Sequence, residues 1–413
     1  MLYMAETKIR KYKTGGKFMK ILIVAGNWSD NEELIKKSGI AEKTFNTLAA
    51  LPDMYSKEGD AIKLCNGGRY SDLADIIETA PDFDIIFWWA NVDNSLPKVR
   101  NVKEIAPYSM LVNSKRNDDD KYTFQELTQR TLAAKANLTF EFKKNKETGR
   151  FDILVFDPLG CGWYKGNDIT EAVTKAAERL KYLISITRQS TTKSDESNGL
   201  VLSWYFDRFK KNMNESNEQK TIPDETEFVD LVRSYAEIFQ TIMKPAKDVK
   251  RFLGNASFKP MPPQVGRCGK GMPSFRKDGY IFVSQRNVDK QFIDINHFVP
   301  TYLEDDKVYY CGENKPSVDT PIQLRLYEAM PEINYMIHSH CYVKDAPFTE
   351  KCIPCGALEE VPEMLETIKK HTDIKTVKTF RLNLKGHGSI IFGNTINDLR
   401  GVDYYGRTLP EIM

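Results

Sequence analysis

Only five histidines occur in this chain of 413 residues, and two of them stand one residue apart in Ile333-Asn334-Tyr335-Met336-Ile337-His338-Ser339-His340. Read as a β-strand, the run places Met336, His338 and His340 on one face, because strand side chains alternate with a period of two. Both imidazoles can then reach one ion. The third candidate is His387 in Leu384-Lys385-Gly386-His387-Gly388-Ser389-Ile390-Ile391-Phe392-Gly393. Its flanking glycines permit a sharp bend between two strands and a close backbone approach. Three neutral imidazoles with one position left open are the donor set of a catalytic Zn2+ or a similar divalent ion. A His-x-His pair alone also describes an ordinary polar strand face, so its surroundings must decide. Of the other two, His371 lies in the charged Lys369-Lys370-His371-Thr372-Asp373 and reads as solvated. His297 follows Asp294-Ile295-Asn296 and reads as a loop or surface residue.

Around these histidines, Cys268 to about Gly393 resembles the class II aldolase and adducin superfamily. The matching pieces come in the family's order. Gly269-Lys270-Gly271-Met272-Pro273-Ser274-Phe275-Arg276 stands where the family has a Gly-Asn-x-Ser phosphate loop. Val283-Ser284-Gln285-Arg286-Asn287-Val288-Asp289-Lys290 and Lys315-Pro316-Ser317-Val318-Asp319 follow, then the His-x-His strand and the Gly-His-Gly turn. The resemblance implies an α/β/α domain around a mainly antiparallel sheet, and a homo-oligomer, commonly a tetramer. It also implies a metal-dependent lyase that cleaves or forms a C–C bond of a small phosphorylated or acidic hydroxy-carbonyl compound through an enediolate. Epimerase or dehydratase chemistry on the same metal, or a non-catalytic adducin-like binding module, are the alternatives.

The same resemblance implies metal ligands at His338, His340 and His387, and substrate or phosphate contacts at Lys270, Gly271, Ser274, Arg276, Ser284, Arg286 and Ser317. Asp319 stands where the aldolases carry a catalytic glutamate, with a side chain one methylene shorter. Because Thr320-Pro321 follows it, Asp319 also reads as the N-cap of a helix through Ile322, Leu324, Leu326, Tyr327 and Met330. Lys270 and Gln285-Arg286-Asn287 depart from the family's small residues. Lys270, Arg276 and Arg286 can instead pair with a phosphate or carboxylate by charge-assisted hydrogen bonds.

Two further motifs carry chemical spacing. Cys352-Ile353-Pro354-Cys355 lacks a second pair and reads as structural. Gly160-Cys161-Gly162-Trp163-Tyr164-Lys165-Gly166 follows a strand and precedes a helix from about Ile169, so Gly160, Gly162 and Gly166 are candidates for a nucleotide or flavin phosphate turn, against a tight structural turn. Cys65-Asn66-Gly67-Gly68-Arg69-Tyr70 is a second candidate of that kind.

The elements that must position these groups fall into two halves, since 413 residues exceed what one core usually serves. Residues 1–18 read as an N-terminal arm. From 19 to 189, short β-rich runs such as Ile21-Leu22-Ile23-Val24 and Ile85-Ile86-Phe87-Trp88 alternate with amphipathic stretches such as Val173, Ala176, Ala177, Leu180, Leu183 and Ile184. That pattern predicts an open α/β sheet with largely parallel strands. Residues 190–222 are polar and read as a linker, and 223–413 as the aldolase-like domain. A composition 41% apolar and 28% charged with net charge +2 describes a soluble globular protein and offers no electrostatic argument for nucleic acid. No apolar run approaches the roughly 18 residues that span a bilayer, so no membrane partner is expected. Seven cysteines without a paired framework suggest a reducing, cytoplasmic compartment. The partner implied is a small-molecule substrate.

Overall fold

The structure, a computed structural model, describes residues 20–36, 39–49, 61–92, 109–192, 206–208, 225–240, 252–260, 280–304, 307–310 and 314–413. The chain divides into two compact units, 1–200 together with 409–413, and 201–408.

In the first unit, β1 (Lys20–Trp28), β2 (Ala61–Gly68), β3 (Ile85–Val92), β4 (Ser109–Arg116) and β5 (Leu138–Lys144) form parallel pairs, while β6 (Phe151–Phe156) and β7 (Cys161–Gly166) add antiparallel neighbours. The reason for the uninterrupted apolar run in β1 is burial on both faces. Ile21, Ile23 and Ala25 join one core, with Val173, Ala176, Ala177, Leu180 and Leu183 of the helix Ile169–Thr192. Leu22 and Val24 join another, with Leu73 and Ile76 of the helix Tyr70–Glu78. Such double burial is what parallel sheets require.

In the second unit, strands β8 (Phe206–Arg208), β9 (Asn255–Phe258), β10 (Ile281–Ser284), β11 (Phe298–Glu304), β12 (Lys307–Tyr310), β13 (Tyr335–Ser339), β15 (Thr379–Leu384) and β16 (Gly388–Gly393) build an eight-stranded sheet, in the order β15-β16-β13-β9-β10-β11-β12-β8. All its pairings are antiparallel except β12 with β8. A separate short pair joins β14 (Tyr342–Val343) to β17 (Tyr404–Tyr405). Helices Thr320–Ala329 and Glu360–Lys369 pack with Met336, Ile390 and Phe392 on one face, and Phe228, Phe258, Tyr335 and Ile337 fill the other.

Three boundaries differ from the sequence reading. The helix Ile169–Thr192 runs past 189, and Phe206–Arg208 is an edge strand, so 190–222 is not all linker. The last residues leave the second unit: β18 (Glu411–Ile412) pairs parallel with β7 at the edge of the first sheet. Gly160, Gly162 and Gly166 do not form an open phosphate turn. Gly160 lies in the β6–β7 hairpin, and the spaces beside Gly162 and Gly166 are filled by Ile412 and Tyr164. The first amides of the following helix already bond to the Asp168 carboxylate (Thr170 N to Oδ1, 2.7 Å), which an incoming phosphate would have to displace. Residues 1–19, with the predicted arm, lie outside the described residues. Among the described residues, no helix is long and apolar enough to cross a membrane.

Candidate metal centre

His338 lies in the central strand β13, with His340 just beyond its end, and His387 occupies the turn that enters β16. The β13–β16 register sets Ser339 against Ser389 and so brings the turn to the end of the histidine strand. Gly388 makes that approach possible, because a Cβ there would fall on the Ser339 carbonyl oxygen and the His340 Cα. The three imidazoles converge, with ring centroids 4.7 to 5.1 Å apart and one candidate ligand atom from each lying within 4.8 Å of the others.

All three rings are buried, and His338 Nε2, His340 Nδ1 and His387 Nε2 have no hydrogen-bond partner. Buried polar nitrogens without partners are costly, and three facing one another are the signature of donors shaped for a cation. The far sides of two rings are fixed: His338 Nδ1 lies 2.9 Å from Ser389 O, and His387 Nδ1 lies 2.7 Å from Glu360 Oε1. An acceptor at Nδ1 selects the tautomer with its proton there and leaves the Nε2 lone pair for a metal. Burial, aided by the charge of His387, pushes His338 down to about 4. His340 falls well below the ordinary imidazole range for the same reason, helped by both other histidines. Burial also pulls on His387, but the charge and hydrogen bond of Glu360 outweigh it and raise its pKa. The donor set thus fits a divalent ion held by neutral imidazoles.

Asp319 joins the histidines, with Oδ2 4.0 Å from His338 Nε2. It occupies the N-cap position of the helix Thr320–Ala329, yet its side chain makes no capping bond. Instead Oδ2 accepts from Asn255 Nδ2 at 2.7 Å and Oδ1 from the Cys355 thiol at 3.5 Å. The carboxylate is therefore directed into the site and not along its helix. Cys355, read as structural, sits at the site's edge, and burial pushes its thiol well above the ordinary range.

Ser284 and Ser317 are also buried here: Ser284 Oγ accepts from Ala256 N at 3.1 Å, and Ser317 Oγ accepts from Asn255 Nδ2 at 3.2 Å. Arg286 lies exposed on a turn. Lys270, Gly271, Ser274 and Arg276 lie outside the described residues. The sequence reading missed Glu360 and Asn255. Nothing in one sequence marks Glu360, a glutamate in a helix, as the partner of His387. Asn255 did carry a signal, because Gly254-Asn255-Ala256-Ser257 spells the Gly-Asn-x-Ser pattern sought at Gly269, and the register places Asn255 opposite His338.

Residues 246–402 match the family model of the Class II Aldolase and Adducin N-terminal domain, so the second unit carries a class II aldolase/adducin domain. Similar solved structures include YgbL from Escherichia coli, 13% identical with a TM-score of 0.28, covering 43% of this chain and 91% of that one. The L-fuculose-1-phosphate aldolase of Thermus thermophilus is also 13% identical, with a TM-score of 0.25, covering 41% of this chain and 81% of its own. The DNA/pantothenate metabolism flavoprotein of Streptococcus pneumoniae is 11% identical, with a TM-score of 0.30, covering 40% of this chain and 99% of its own. At these values none of the three assigns an activity. No curated protein matches the chain at a significant level.

Proposed function

We propose that the second unit binds one divalent ion, Zn2+ first among candidates, through His338, His340 and His387. On this reading it acts as an aldolase-type lyase on a small phosphorylated or acidic hydroxy-carbonyl compound. The observation that carries the reading is the convergence of three buried, partnerless imidazole nitrogens, two with their opposite nitrogen fixed by Ser389 O and Glu360. A bound divalent ion supplies Lewis acidity, which polarises a carbonyl oxygen and stabilises negative charge as an adjacent bond breaks. Asp319 is the proton carrier: its carboxylate is buried, faces His338 and is held by Asn255, so it can take a hydroxyl proton from substrate and return it to carbon. Asn255 and Ser317 bond directly to Asp319, and Ser284 Oγ accepts from the backbone N–H of Ala256, next to Asn255. The family match supports a small-molecule substrate, and a cytoplasmic homo-oligomer, a tetramer as in the wider family, completes the proposal.

The test combines metal analysis with turnover. The purified chain should hold about one Zn2+ or similar ion, lost in a His338→Ala/His340→Ala variant. Asp319→Asn keeps the shape and any capping capacity but removes the basic carboxylate, so aldol cleavage should fall roughly 10²-fold or more with the metal retained. Product analysis separates cleavage from epimerisation or dehydration. A wild-type protein without metal, or an Asp319→Asn protein with full turnover, refutes the corresponding assignment.

A further inference from the structure

We propose that Lys290 is a positioning residue for the Asp319 carboxylate, acting through Leu253, Gly254 and Asn255, an inference that rests on the metal reading above. Lys290 is 2% exposed, and its Nζ donates to Leu253 O at 3.2 Å and lies 5.4 Å from the Phe239 ring centroid. Burial lowers its ammonium to about 7, against the opposing pull of Asp289 and Asp319. An ammonium so placed costs stability, which a methionine of similar length would not. The fold alone therefore does not account for it.

Its contact with the chain does. The carbonyl that Lys290 holds immediately precedes Gly254, whose φ of +74° is left-handed and whose Cα has no room for a methyl group between the Phe239 ring and the His338 carbonyl oxygen. Next comes Asn255, opposite His338 in the β9–β13 register. The Asn255 amide is engaged at both ends: Oδ1 accepts from Gln323 Nε2, and Nδ2 donates to Asp319 Oδ2 at 2.7 Å and Ser317 Oγ at 3.2 Å. Rotating that amide breaks bonds at both ends. What remains outside the sheet is the backbone at 253–254, just before β9, which is the segment that Lys290 pins.

The test uses the full chain and Co2+ alone as probe, comparing wild type, Lys290→Met, Asp319→Asn and the double variant. Lys290→Met should melt at or above the wild-type temperature. It should also bind Co2+ about 5- to 10-fold more weakly with an altered visible spectrum, as expected when an outer partner of a metal site is lost. Removing a cation would by charge alone tighten a dication, so weaker binding is the signature of positioning. In the Asp319→Asn background the same substitution should change nothing further. Unchanged or tighter Co2+ binding by Lys290→Met, or an equal effect in both backgrounds, overturns the proposal. A wild-type protein without a Co2+ spectrum overturns the metal reading itself, and the relay with it. If Lys290→Met does not fold, Asn255→Ala tests the next link: it should weaken Co2+ binding only where Asp319 is present, and a wild-type spectrum overturns the relay.

Discussion

Acidifying the metal-free protein should unfold its second unit through the buried imidazoles of His338 and His340. In the folded chain burial holds His338 down to about 4, against 6.5 for an ordinary imidazole. Because the folded pKa is depressed, the unfolded chain binds the extra proton between those values, so stability is present above about 6.5 and lost as pH falls toward 4. The gap corresponds to about 3 kcal/mol, of which about 2 kcal/mol is gone by pH 5. His387 works in a separate window: its raised pKa contributes stability at low pH that is lost as pH rises above the ordinary imidazole value. The assay is urea unfolding of the chelator-treated chain from pH 7 to 4.5, following the transition that moves when Zn2+ is restored. His338→Gln is the control: it removes the His338 share of the pH dependence and leaves that of His340, which burial also depresses. A wild-type transition no steeper in pH than that of His338→Gln over this window would refute the burial argument.

Substitutions at two further positions probe the frame around the rings. Glu360→Gln keeps an acceptor for His387 Nδ1 but removes the charge, so metal affinity, measured by chelator competition, should fall about 10-fold, and Glu360→Ala nearer 100-fold. Unchanged affinity in both removes Glu360 from the site. Gly388→Ala drives a methyl group into the Ser339 and His340 backbone, which cannot yield as a flexible side chain does. It should destabilise the protein by about 3 kcal/mol or more, read as a lowered unfolding midpoint, and a midpoint near wild type would show that β16 can retreat from β13.

The three converging histidines are legible in the sequence because strand periodicity and glycine-flanked turns are local properties: His338 shares a face with Met336, and Gly388 permits the approach of His387. The two-unit α/β plan is legible for the same reason, since doubly buried β1 and the stripe of Val173, Ala177 and Leu180 announce their own period. What escapes depends on contacts between distant segments. Glu360 meets His387 from 27 residues away, and Asp319 resembles a plain helix cap until its carboxylate is placed against Asn255, 64 residues earlier. The phosphate-loop pattern fits Gly269 only loosely, whereas its full spelling stands at Gly254. The spelling is visible in the sequence, and the pairing of β9 with the His338 strand is what ties it to the histidines.

The pairing of β18 with β7 makes the second unit an insertion: the chain leaves the first unit after 200 and returns to it at 409. Cutting the protein into two consecutive fragments therefore damages both products. A fragment ending near 200 lacks Leu409–Met413, which bares the backbone of β7 as an open sheet edge and empties the space beside Gly162 that Ile412 occupies. Open edges recruit other strands, so such a fragment is prone to self-association. Expressing the first unit alone calls for joining 409–413 to it through a linker, and a bulky fusion after Met413 bears on the edge of the first sheet.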